Sequence, residues 1–285
     1  MKLSIFYVYE KQNKPEKLLQ NQKLSSDRIQ VLPIKGHLTE TGQKQVLDHL
    51  PEAEGEYLTV LYEGDRLQAG WLDQACEKLE QSNMAFVMPY IFPQFELKNK
   101  CEYFRTESRE NREIDIRENQ LVFPLELHGL VLRTEQVQKT WRECDLETEK
   151  EKQLVYELLK NQSIFYYMGE AELKYLVPRE QDFFNCISVL QREWYYDSFE
   201  KGILPLLERE AENGEVNMFL QCMTLHMVEL RLCANTNNRN KHVISEEEVP
   251  EYYRLLKKVL DYVTVETILK KKPLVLQVSW VERIP

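Results

Sequence analysis

EGEYLTVLYEGDRLQAGWLDQACEKL, residues 54–79, carries three local patterns in succession. YLTVLY is an apolar run of strand length and composition. Glu63-Gly64-Asp65 is an acidic turn. Beyond it Trp71, Leu72, Ala75, Cys76 and Leu79 fall at i, i+1, i+4, i+5 and i+8, which is one face of a helix. A strand that ends in carboxylates, with a helix returning along it, brings acidic groups to the carboxyl edge of an α/β sheet, where such sheets bind ligands.

Working outward, the same alternation holds on both sides. Residues 3–9 predict a central strand, Pro15 opens a helix to about Gln22, and residues 29–34 predict a short strand. Residues 39–50 predict a helix with Thr39 as its N-cap and Pro51 after its end. Residues 84–90 form another apolar run. The charged stretch 98–120 predicts an exposed excursion or mobile hairpin, and residues 121–132 predict short strands around Pro124 and His128-Gly129. Helices over 134–141 and 149–160 and a strand over 164–168 complete an α/β layer pattern. After Pro178 the pattern becomes helical, over 193–212, 216–234 and 246–270. Pro205 kinks or splits the first of these, and Ser245 with Glu248 forms a capping box for the third. Residues 273–280 predict a closing strand. The expected division is an α/β domain over 1–177 and an all-α extension over 178–285.

Composition narrows the functions. The chain has 285 residues, a formal net charge of −10 and only 9 glycines. That charge argues against nucleic acid as a partner, because phosphate neutralisation requires clustered Lys and Arg. The one basic run, Lys270, Lys271 and Lys272, suits a helix C-terminus. The 6 cysteines form no CxxC pair and no zinc spacing, which points to reduced core residues of a cytosolic protein. No stretch has the ~20 apolar residues of a membrane span, so membrane contact is expected to be peripheral at most, at the inner face.

The run AEGEYLTVLYEGDRLQAGWLDQACEKLE resembles the middle of family 2 glycosyltransferases, whose GT-A fold carries an A-x-G-x-Y-hydrophobic strand leading into an Asp-x-Asp turn. His128-Gly129-Leu130-Val131-Leu132-Arg133 resembles a later strand of that family, residues 149–160 its base-bearing helix, and residues 171–179 its closing strand. The resemblance covers roughly residues 1–180. It implies a Rossmann-type mixed sheet, a nucleotide-diphospho-sugar donor and a cell-surface polysaccharide or teichoic-acid setting. The acceptor it implies is a glycan or polyol phosphate. It also implies a partner glycosyltransferase meeting the helical region.

The chemistry needs a diphosphate leaving group neutralised, which a divalent cation between carboxylates achieves, and a base at the acceptor hydroxyl for an inverting displacement. Glu63 and Asp65, at i and i+2, are the candidate ligands for Mg2+ or Mn2+ in a degenerate Asp-x-Asp turn; the other reading is an exposed turn with Asp65 capping the next helix. Glu151 is the candidate base, in competition with a solvated acidic helix face. Asp65, His128 and Arg179 are the candidate donor contacts, His128 and Arg179 having packing and ion-pair readings beside them. Set strictly by strand length, the family's acidic positions fall on Tyr62, Gly64 and Asp65. The "vDDgS" segment that holds the nucleotide base in that family has no counterpart beyond Ser25-Ser26-Asp27. Two functions therefore stand side by side: a sugar transferase, and a non-catalytic GT-A relative that scaffolds an active one. A third, an interaction protein with a coincidental α/β pattern, is excluded if residues 57–62 pair in parallel with residues 3–9.

Overall fold

The computed structural model of the chain describes residues 2–36, 40–93, 109–120, 124, 126–175, 190–235 and 243–271. It divides into two compact units: Met1–Cys144 with Leu154–Pro178, and Asp145–Gln153 with Arg179–Pro285.

The first unit holds one mixed sheet of eight strands among the described residues. These are β1 (Leu3–Tyr9), β2 (Ile29–Lys35), β3 (Tyr57–Tyr62), β4 (Arg66–Leu67), β5 (Phe86–Pro93), β6 (Arg112–Asp115), β7 (Val131–Arg133) and β8 (Ile164–Tyr175). Their order is β2-β1-β3-β7-β5-β8-β4, with β6 also on β8. β1 is parallel to β2 on one side and to β3 on the other, in register from Leu3 opposite Tyr57 to Val8 opposite Tyr62. That parallel pairing rules out a coincidental pattern. It also makes β1/β3 the point where strand order reverses, and at such a reversal open α/β sheets form their ligand crevice beyond the strand ends. β7 runs antiparallel to β3 and to β5.

β1 and β3 are buried along nearly their whole length, as their continuous apolar runs require of strands covered on both faces. Helix α1 (Glu16–Leu19) is a single turn after Pro15, and α2 (Glu40–His49) ends in a tight turn at Leu50–Glu52 that contains Pro51. The predicted cap Thr39 lies outside the described residues. In α3 (Trp71–Glu80) the five residues of the predicted face are all buried, in one cluster with Leu3, Ile5, Tyr57, Leu61 and Val87. α4 (Thr134–Glu143) buries Val137, and α5 (Lys150–Asn161) buries Leu154, Val155, Leu158 and Leu159.

Two strands differ from expectation. β8 spans twelve residues, well past Met168, because Glu170, Glu172 and Lys174 alternate with buried Ala171 and Leu173 in a stretch whose partners, β4 and the end of β5, come from elsewhere in the chain. β6 lies inside the charged stretch read as an excursion. Ile114 is its buried residue, and antiparallel pairing with β8 makes it a strand. Between residues 121 and 132 the described backbone holds the start of β7 and an isolated bridge from His128 to Val60.

The second unit is helical among the described residues. α6 (Arg192–Asp197) continues through one wide π turn, Ser198–Ile203, into α7 (Leu204–Glu212), which has Pro205 in its first turn. The predicted break at Pro205 is thus taken up by widening the helix. α8 (Met218–Asn235) follows. The single helix predicted over 246–270 is two, α9 (Val249–Leu260) and α10 (Val265–Lys271). They part where Gln221 Oε1 accepts from Thr264 N–H at 2.8 Å and from the Thr267 hydroxyl at 2.7 Å. The Ser245–Glu248 box is half formed: Glu248 accepts from the Ser245 N–H at 3.0 Å, while the Ser245 hydroxyl donates to the same carboxylate. The strand predicted over 273–280 lies outside the described residues. Among those described, no helix is long and apolar enough to cross a membrane.

Candidate functional site

β3 ends at Tyr62, and the next three residues reverse the chain at the mouth of the β1/β3 crevice. Gly64 takes a φ of 91°, open to glycine at little cost. Asp65 N–H donates to the Tyr62 carbonyl at 3.1 Å, and Asp65 Oδ2 accepts from the Tyr62 N–H at 2.7 Å. One residue therefore closes the turn in both directions. Its side chain is 1 % exposed.

His128 reaches the same place from much later in the chain. It bridges to Val60, and Gly129, at a φ of 73°, donates its N–H to the Val60 carbonyl at 2.9 Å. The chain then doubles back into β7, whose Val131 lies opposite Thr59. The His-Gly pair is a sharp reversal that plants an imidazole beside the end of β3. His128 Nε2 lies 2.9 Å from Asp65 Oδ2, and its ring stacks on Tyr62 with centroids 4.2 Å apart. A carboxylate acceptor requires the proton on Nε2.

Glu63 faces the opposite way. Its N–H continues the ladder to the Val8 carbonyl at 2.8 Å, and its carboxylate reaches the loop after β1. There Oε2 accepts from the N–H groups of Glu10 at 2.9 Å and Lys11 at 2.8 Å, and Oε1 accepts from that of Gln12 at 3.0 Å. Three consecutive amides converging on one carboxylate form an anion nest. The Tyr7 hydroxyl donates to the Gln12 carbonyl at 3.3 Å. Its pKa is raised by burial first and then by the nearby charge of Glu63, with a smaller contribution from Asp65.

The expected cation site is Glu63 together with Asp65. A hard divalent ion needs carboxylate oxygens that converge on it. Both Glu63 oxygens are engaged by the loop amides, Asp65 Oδ2 is engaged by Tyr62 and His128, and Asp65 Oδ1 is sealed from solvent without a hydrogen-bond partner in the structure. Three of the four carboxylate oxygens thus already carry hydrogen bonds. Among the described residues no group of three or more His, Cys, Asp or Glu side chains is placed to hold a metal ion.

Arg179 is outside the described residues. Glu151 is in the first turn of α5, 8 % exposed, within the segment that belongs to the second unit. Its acidic run is mixed: Asp145 and Glu147 are exposed, while the Glu149 side chain is buried. Glu149 has a φ of 58° and pairs with Lys152 and, at 3.2 Å, with the Arg231 guanidinium. Burial alone would raise the Glu149 pKa; Lys152 and then Arg231 outweigh it and hold the carboxyl low. Sequence reasoning passed over Tyr62 as a ring partner and residues 10–12 as amide donors. The Tyr-x-Gly-Asp turn signalled the first, and nothing in the sequence signalled the second.

No protein-family profile and no curated protein sequence matches the chain. Its fold does have counterparts. It is similar to the S. aureus TarS 1-349 crystal structure in complex with UDP-GlcNAc, at 12 % identity and a TM-score of 0.62, covering 94 % of this chain and 83 % of that one. It is also similar to a longer S. aureus TarS structure, at 14 % identity and a TM-score of 0.58, again over 94 % of this chain but only 50 % of that one. The chain thus spans about half the length of that longer structure. TarS is a GT-A-like glycosyltransferase, and with its eight-stranded sheet flanked by helices this chain has the GT-A glycosyltransferase fold.

Proposed function

We propose that the chain binds a nucleotide-diphospho-sugar in the crevice between the ends of β1 and β3 and transfers the sugar to a cell-surface glycan or polyol-phosphate acceptor. The observation that carries this reading is the likeness, over 94 % of the chain, to a structure that holds UDP-GlcNAc. The position of the strand-order reversal supports it, since open α/β sheets bind ligands there. In this reading Asp65 orients the His128 ring toward the diphosphate, and Arg179 supplies a second contact to its oxygens. Glu151 takes the proton of the acceptor hydroxyl in an inverting displacement. No step runs through a metal, because Glu63 and Asp65 are committed to other partners. A second reading, a non-catalytic module that joins an active transferase through its helical unit, is favoured by one observation: the loop amides have claimed the Glu63 carboxylate.

Calorimetric titration with UDP-GlcNAc, a GDP-sugar and a CDP-linked donor, followed by an assay of nucleotide release, tests both. Saturable binding of one donor class is expected, weakened about tenfold or more by His128→Ala through loss of a charge-assisted hydrogen bond. Turnover that disappears in Glu151→Gln supports the transferase. Binding without turnover supports the module, and no binding of any donor rejects both.

A further inference from the structure

We infer that the acidic turn fastens the nucleotide crevice and is not its cation site: Glu63 is a positioning residue that holds the loop of residues 10–12 against the end of β3, and nucleotide binding proceeds without a divalent ion at this turn. The inference rests on the nucleotide reading above and deepens it.

The geometry leaves Glu63 little freedom. Its backbone is fixed in the ladder by the N–H bond to Val8, and its carboxylate accepts from three amides of the loop after β1 at 2.8–3.0 Å. Those N–H groups take three of the roughly four lone-pair sites of the carboxylate, which leaves it little acceptor capacity for a cation. Turning the carboxylate toward a metal would leave three backbone donors without their acceptor, each a charge-assisted bond. The loop is fastened on its acceptor side too, by the Tyr7 hydroxyl on the Gln12 carbonyl. Asp65 spends its Oδ2 on the turn and on His128, and its Oδ1 is sealed from solvent. Because the loops after β1 and β3 border the crevice at the reversal of strand order, fixing one against the other fixes the shape offered to a ligand.

Three measurements on the full chain test this. In Glu63→Ala, amide hydrogen exchange at Glu10, Lys11 and Gln12 should quicken by about tenfold or more, the equivalent of one charge-assisted bond; unchanged exchange overturns the fastening. Mn2+ added to the nucleotide-free protein should show no bound-ion signal in electron paramagnetic resonance, and a bound ion that Glu63→Gln releases overturns the inference. UDP should bind equally in EDTA and in Mn2+, and Glu63→Ala should weaken it about tenfold in both. A Glu63→Ala variant with a lowered melting temperature and unaltered UDP affinity would show a purely structural residue and overturn the positioning role. If UDP binds under no condition, the nucleotide reading fails, while the exchange and Mn2+ measurements still decide whether the turn is a fastening or a cation site.

Discussion

At the scale of single residues, the buried Arg231 and Glu149 are committed to one another. Arg231 is 2 % exposed, lies between the Trp194 and Phe199 rings, and donates to the Met227 and Trp194 carbonyls as well as to Glu149. Removing one partner of a buried pair strands the other, so Arg231→Ala should cost the second unit about 3–5 kcal/mol. Urea unfolding followed by circular dichroism measures this, and a loss below about 1 kcal/mol, the worth of a surface pair, would contradict it. None of this was legible in the sequence, where Glu149 is one acid in a run of acids and its partner stands 82 residues away. The turn at Gly64-Asp65 was legible, because an acidic Gly-Asp pair after an apolar strand favours a reversal; that Asp65 Oδ2 would go to Tyr62 and His128 was not. The direction of Glu63 was not, since a side chain at a turn can face either flank and its acceptors' partners are backbone groups that the sequence does not distinguish.

At the scale of elements, β1 and β3 were readable because both are continuous apolar runs, and α3 because its face repeats at helical spacing. β6 and the second half of β8 were not, because a strand rich in charged residues is defined by what pairs with it more than by its own residues. The join of β1 to the segment before β3 has a strict steric requirement. Gly55 donates to the buried Ser4 hydroxyl at 2.8 Å, and that hydroxyl donates to Gln30 Oε1 at 2.6 Å. A Cβ on Gly55 would lie 2.5 Å from the Ser4 nitrogen and 2.7 Å from the Leu3 carbonyl carbon, backbone atoms that cannot swing aside. Gly55→Ala should therefore destabilise the first unit by about 1–3 kcal/mol, readable as a lowered melting temperature. A variant as stable as the parent would mean that β1 has slack the structure does not show. The α9/α10 break was hidden for the same reason as β6: Thr264 and Thr267 fit a helix well until Gln221 draws them out of one.

At the scale of the whole molecule, the α/β-then-helical order could be read from the alternation of patterns, and the nine scarce glycines fit it. The response to acid could not. His226 is 17 % exposed, and its pKa is pushed down to about 3 by burial first and then by Lys271, Lys152 and Arg231. The folded chain keeps this ring neutral while the unfolded chain protonates it near the usual value of about 6.5. Between those limits the unfolded state binds more protons, so stability should fall as pH drops from about 6.5 toward about 3, by at most about 1.4 kcal/mol per pH unit. His226→Gln should flatten that slope in unfolding measured across the interval, and an unchanged slope would assign the acid response to other groups.

β8 also shapes how the polypeptide is made. β4, β5 and β6 all hydrogen-bond to it, and none of those bonds can form before the ribosome has delivered the stretch Ile164–Tyr175. Until then the apolar run FVMPYIFP of β5 has one side open, the kind of edge that recruits other chains. The nascent protein thus passes its most aggregation-prone interval between synthesis of β5 and of β8, and the assistance of a chaperone matters most in that window.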